Sequence, residues 1–212
     1  MALSTTLPNS FSSLNIQDLI DFLGVKKVKN LVFETVETTE KQNQKIAEIS
    51  QVSSEIINSW NEQELIIKHL ALILEAANLE GEHFNTFAER CISAKIDNIE
   101  LSGIVDLFVA RGRYEPRNPY FFIQEYKRNK QGPNSDPLAQ LLGEMLVAQK
   151  LNNRVEIYGC YVVGRFWYFV IMDGKNYTEE SPLNSTNTRE LKIIMSKLNW
   201  VKKYVEKRVG EI

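Results

Sequence analysis

The chain has 212 residues, a formal net charge of −2, and 43% hydrophobic against 25% charged side chains. That is enough chain for one well-filled core, and the near-neutral charge excludes a protein that coats nucleic acid by overall positive charge, so any such contact must be local. Cys91 and Cys160 stand in apolar surroundings without a CxxC or Cys/His spacing, which points to buried free thiols rather than a disulfide or a zinc site. The opening residues have neither the basic start nor the apolar core of a signal peptide, and no run approaches the ~20 apolar residues of a membrane span. The expectation is one cytoplasmic domain over 1–212 without membrane contact.

Residues 1–13 are rich in Ser and Thr. Asn15 then opens a segment in which Ile16, Leu19, Ile20 and Leu23 fall at helical spacing before Gly24, predicting a short helix. Alternation over 26–39 predicts a strand, and the stretch from Thr39 a helix with Ile46 and Ile49 inward. Residues 59–77 carry Ile66, Leu70, Ile73 and Ala77 at i, i+4, i+7 and i+11 and predict the strongest helix. Residues 78–90 read as a turn and a short helix. An antiparallel hairpin then follows from Cys91, turning near Asp97 and Asn98.

Residues 104–109 (IVDLFV) and 119–124 (PYFFIQ) are β-branched and aromatic runs bounded by Gly103, Gly112 and Pro119, the pattern of buried strands. Val105, Leu107 and Val109 on one side and Ile104 and Phe108 on the other predict a central strand. The charges inside these runs need a reason. Side chains alternate faces along a strand, so Glu125 and Lys127 share a face. If that strand pairs with the one carrying Asp106, the opposed carboxylates lie roughly 5 Å apart, close enough to hold one divalent cation. The alternative is a surface Glu-Lys pair contributing at most about 1 kcal/mol.

Asp136 before Pro137 has the residue types of an N-cap and first helical position, predicting a helix to about Asn152 with Gln140 and Glu144 four apart on one face. Residues 155–173 predict two strands joined at Gly164-Arg165, with Phe166, Trp167, Tyr168 and Phe169 as core. A C-terminal helix follows from Asn187, with Leu191, Ile194, Leu198, Val201 and Val205 at helical spacing. A single helix between the strands near 119–128 and 155–163 makes them candidates for parallel neighbours. The predicted fold is α/β, a layered domain with a mixed central sheet flanked by helices.

An Asp on one strand followed by Glu-x-Lys on the next resembles the PD-(D/E)XK nuclease superfamily over roughly residues 60–170, although the first half reads Ile-Val-Asp rather than Pro-Asp. The resemblance implies a restriction-endonuclease-like fold and Mg²⁺-dependent cleavage of phosphodiester bonds, most simply in DNA, with Mn²⁺ as a substitute metal. It assigns metal ligation to Asp106 and Glu125 and support of the attacking water to Lys127. It also implies a further Glu on the preceding helix, where Glu62 lies on the inward face and Glu64 nearly opposite, and a Gln on the following helix, matched by Gln140. The Tyr126 carbonyl is a candidate to complete the metal shell. Acidic residues outnumber basic ones 13 to 5 over 34–100, whereas 111–130 hold 6 basic against 2 acidic. Arg111, Arg113, Arg128 and Lys130 are therefore candidates for contacts to the nucleic-acid backbone. The competing expectation is an inactive nuclease-fold module that binds nucleic acid or a protein partner, and a homodimer is compatible with either.

Overall fold

The computed structural model describes residues 7–127, 136–153 and 156–211. Helix α1 (Ile16–Leu23) starts where Asn15 accepts the Asp18 N–H and the Asp18 carboxylate reaches back, and it ends at Gly24 with φ 68°. The strand expected over 26–39 is reduced to β1 (Lys26–Lys27). Beyond Val28, whose N–H still donates to the Tyr177 carbonyl, the backbone bonds leave the ladder: the Phe33 N–H donates to Glu180 Oε1 at 3.1 Å and the Val36 N–H to the Ser196 carbonyl at 2.9 Å. The apolar alternation there serves instead to anchor a loop, with Phe33 edge-on to Tyr158, Phe169 and Trp200.

Helix α2 (Glu40–Ile49) follows its Thr39 cap, and α3 (Ser54–Ser59) stops at extended Trp60. The helix expected from residue 59 starts instead at Asn61, which caps α4 (Glu62–Leu65); a π-helical turn (Ile66–Leu70) leads into α5 (Ala71–Ala77). The wider turn shifts the phase, so Leu65, His69, Leu70, Ile73 and Ala77 are buried while Ile67 is 67% exposed. His69 Nε2 bonds Ser185 Oγ at 2.7 Å, and that hydroxyl donates to the Arg165 carbonyl. The imidazole must therefore donate from Nε2. Burial pulls its pKa down to about 4, which makes His69 a neutral packing residue.

Strands β2 (Phe84–Ile96) and β3 (Ile99–Arg111) form the expected hairpin, with Asp97 and Asn98 at φ 45° and 75°. β2 begins earlier than expected and replaces the helix anticipated over 78–90. Phe84 and Phe87, three apart, fit a helix face equally well, but along a strand that spacing sends them to opposite cores. β4 (Arg117–Lys127) runs antiparallel to β3, and α6 (Pro137–Asn152) crosses to β5 (Glu156–Val163), parallel to β4. β6 (Phe166–Asp173), β7 (Asn176–Glu179) and β8 (Leu183–Asn184) follow, and α7 (Thr188–Gly210) closes the chain.

The described strands form one mixed sheet in the order β1-β7-β6-β5-β4-β3-β2, with β8 on β6. Helix α6 covers one face, its Leu141 and Met145 clustering with Ile123; α7, α5 and α2 cover the other, clustering with Phe122 and Tyr126. This is the expected layered α/β architecture. α6 approaches closely over Gly159, where a Cβ would sit 3.1 Å from Leu141 Cδ1. Two expectations change. The first half of β3 extends with β2 beyond β4, leaving Ile104 61% exposed, so β3 is not covered on both faces throughout. Cys91 is exposed, while Cys160 is buried.

Candidate functional site

Three elements bring the predicted charges together: β3, the C-terminal end of β4, and the first turns of α6. Asp106 occupies an irregular position. The β2–β3 register passes from Ala88↔Leu107 to Arg90↔Val105, with Glu89 at φ 52° between, and β4 pairs with β3 from Leu107 to Arg111. Asp106 Oδ2 instead accepts the Tyr126 N–H at 2.7 Å. A carboxylate thus fills the place of a backbone carbonyl, which fixes it beside Glu125. Because a strand residue directs its N–H and C=O to the same neighbour, the Tyr126 carbonyl also points toward the β3 side.

Glu125 is fully buried and ion-paired to Lys127, whose side chain is 22% exposed. Among the described residues its carboxyl group meets the Lys127 ammonium and the Asp106 carboxyl. Burial and then the Asp106 charge push its pKa up to about 8, against the opposing pull of Lys127. For Lys127, burial works downward, but Glu125, Asp106 and Glu62 outweigh it and the net shift is upward. The ammonium is therefore firmly charged.

Glu62, half-buried at the start of α4, belongs to the field around Lys127. Glu64 is committed elsewhere: it closes the capping box with Asn61 and pairs with Lys68 at 2.6 Å. Gln140 is buried and donates to Glu144 Oε1 at 3.3 Å. Tyr126 itself points its ring into the opposite core, where its hydroxyl donates to Gln124.

The residue that sequence reasoning left aside is Glu144. It is 0% exposed, and its Oε2 has no hydrogen-bond partner among the described residues. Burial first, and then Glu125 and Asp106, hold its carboxyl well above the usual range. Gln140 and Glu144 do not form a solvent-facing stripe, because every residue from Ala139 to Gln149 is buried. The available signal was a charged residue in the middle of the apolar run Leu141–Ala148.

Arg111 and Arg113 do not flank this cluster. Arg111 is five residues from Asp106, roughly 17 Å along the strand, and Arg117 faces it across the ladder at the far end of β4. Arg128 and Lys130 lie outside the described residues. A cavity of about 700 Å³ between α2, α5 and α7 contains none of the site residues.

An oxygen-rich donor set of this kind is the sort a hard cation such as Mg²⁺ prefers. Among the described residues, no group of three or more His, Cys, Asp or Glu is arranged to hold a metal ion. The groups that could hold one are two carboxylates, Asp106 and Glu125, with the Tyr126 carbonyl and solvent. Compared with known proteins, the chain matches no family model and no curated protein sequence. No described helix is long and apolar enough to cross a membrane.

Replacing Glu125 by Gln tests the electrostatics directly. A carboxyl whose pKa is raised from 4.5 to about 8 binds its proton more tightly in the folded state, so stability is greatest below about pH 4.5 and falls as pH rises through about 8. Glutamine mimics the protonated form at every pH. In metal-free buffer, Glu125→Gln should raise the Tm by roughly 5 °C at pH 8.5 and leave it nearly unchanged at pH 4.5. A lower Tm at both pH values would show that the ionised carboxylate is a net stabiliser.

Proposed function

We propose that the protein is a metal-dependent nuclease that hydrolyses phosphodiester bonds, most simply in DNA, and that the sheet and its crossover helix form a restriction-endonuclease-like fold. The observation that carries this reading is the convergence of Asp106, Glu125 and Lys127, pinned by the Tyr126–Asp106 hydrogen bond and the Lys127–Glu125 ion pair. Perturbed carboxyl groups gathered at the end of a strand are a feature of functional sites.

In this reading Asp106, Glu125 and the Tyr126 carbonyl hold Mg²⁺ or Mn²⁺. When bound, the cation supplies Lewis acidity toward a phosphoryl oxygen and lowers the pKa of a nearby water. Lys127 donates hydrogen bonds that orient the attacking water and offsets charge on the phosphate. Glu144 lies in the electrostatic field of Glu125 and Asp106. Gln140 fixes Glu144 in turn. Hydrolysis adds water across one P–O bond, leaving a phosphomonoester and a hydroxyl.

A non-catalytic nuclease-fold module is the second reading, favoured by the direct Lys127–Glu125 pair, in which the ammonium already neutralises the carboxylate. Mn²⁺ titration followed by electron paramagnetic resonance separates the two. The nuclease reading expects saturable binding in the wild type that Asp106→Asn weakens at least ten-fold. Absence of saturable binding in the wild type would favour the module.

A further inference from the structure

The arginines that lie away from the carboxylate cluster gather around a cavity of their own. Arg111 and Arg117 are Cα partners across the β3–β4 ladder. Arg113 stands in the connection between those strands, and all three line a cavity of about 360 Å³ with Glu82, His83 and Val209. Like charges directly opposite one another on neighbouring strands are destabilising. None of the ion pairs among the described residues involves any of these arginines.

The connection that gathers them is well anchored. Gly112 has φ 113°, and a Cβ there would lie 2.2 Å from the Glu115 carbonyl oxygen, so the chain folds back over this position only with glycine. Its N–H donates to the His83 carbonyl at 2.9 Å, and Asn85 Nδ2 donates to the Arg113 carbonyl at 3.1 Å. Glu82 offsets one of three positive charges, leaving a local excess of two. Arg111 and Arg117 on facing strands and Arg113 on the tethered loop, its guanidinium over the Tyr114 ring, line the cavity together and carry the forked donors that a phosphate accepts.

We propose that this cavity binds a doubly charged phosphate group, carried either by inorganic phosphate or by a nucleotide. The site is distinct from the carboxylate cluster: Val209 packs with the core on the α7 face, whereas Glu125 lies with Ile123 on the α6 face. The assignment does not depend on the nuclease reading.

The test is the Tm of the full chain at constant ionic strength, titrated with inorganic phosphate, adenosine 5′-monophosphate and adenosine. Phosphate and the monophosphate should raise the Tm saturably while adenosine does not. Arg111→Gln and Arg117→Gln should each weaken that response at least ten-fold, and Asp106→Asn should leave it unchanged. Tighter binding of the monophosphate than of phosphate assigns the site to nucleotides, and equal binding assigns it to the free anion. Arg117→Glu gives Arg111 a partner, so it should raise the ligand-free Tm and abolish the response. No saturable shift in the wild type, a shift that survives the Arg111→Gln/Arg117→Gln double substitution, or a shift lost in Asp106→Asn would overturn the proposal.

Discussion

Lys127→Met should lower metal-dependent phosphodiester cleavage by at least a hundred-fold, the scale of a positioned proton-transfer group. The loss has two physical sources. The attacking water loses its ammonium donor, and Glu125 loses the cation that opposes burial and Asp106, which drives its carboxyl further toward the neutral form. Mn²⁺ titration of the variant separates the two, because only the second weakens metal binding. Affinity for DNA should fall modestly, with the salt slope reduced by about one unit for one lost phosphate contact. Lys127→Arg should also fail, since a planar guanidinium does not fit where a compact ammonium meets a fully buried carboxylate. Cleavage that persists in both variants would remove Lys127 from the mechanism.

Asp106, Glu125 and Lys127 could be singled out because strand parity is a strict two-residue period, so Glu-x-Lys in an apolar run shares a face whatever surrounds it. The Asp97-Asn98 turn and the Asp136-Pro137 helix start were readable for a similar reason: each depends on the conformational preference of its own residues. Features set by a change of period were not readable. The π-helical turn at Ile66–Leu70 brings Leu65 and His69 inward, and the irregularity at Glu89 and Asp106 is a property of three paired strands. Phe84 and Phe87 misled because three-residue spacing suits a helix face as well as the two faces of a strand. Arg111 and Arg113 misled because closeness in sequence along an extended strand means distance in space. Glu144 was hidden by the burial of α6 on all sides, which leaves no stripe to read.

Glu144→Leu should raise the Tm of the metal-free protein by several degrees near pH 8 while lowering cleavage at least ten-fold. The fold gains because a fully buried carboxyl with an orphaned oxygen is replaced by an apolar side chain of similar size among Leu141, Met145 and Ala148. That gain is reduced by the loss of the bond from Gln140. Activity falls because an apolar side chain near Glu125 adds to the burial that already favours its neutral form, which weakens it as a metal ligand. The opposite signs distinguish a functional residue from a structural one, since a residue retained for packing would lose stability when replaced. Glu144→Gln, which keeps the neutral form and its hydrogen-bonding capacity, should recover most of the activity. Equal loss in both variants would mean that Glu144 acts ionised.

The most direct measurement is cleavage of supercoiled and linear DNA by the wild-type protein in Mg²⁺ or Mn²⁺, with Asp106→Asn and chelator as controls. The account predicts cleavage that requires the divalent metal and disappears in Asp106→Asn at unchanged Tm. Intact DNA and RNA under both metals, with wild-type protein that is folded and binds nucleic acid, would contradict it.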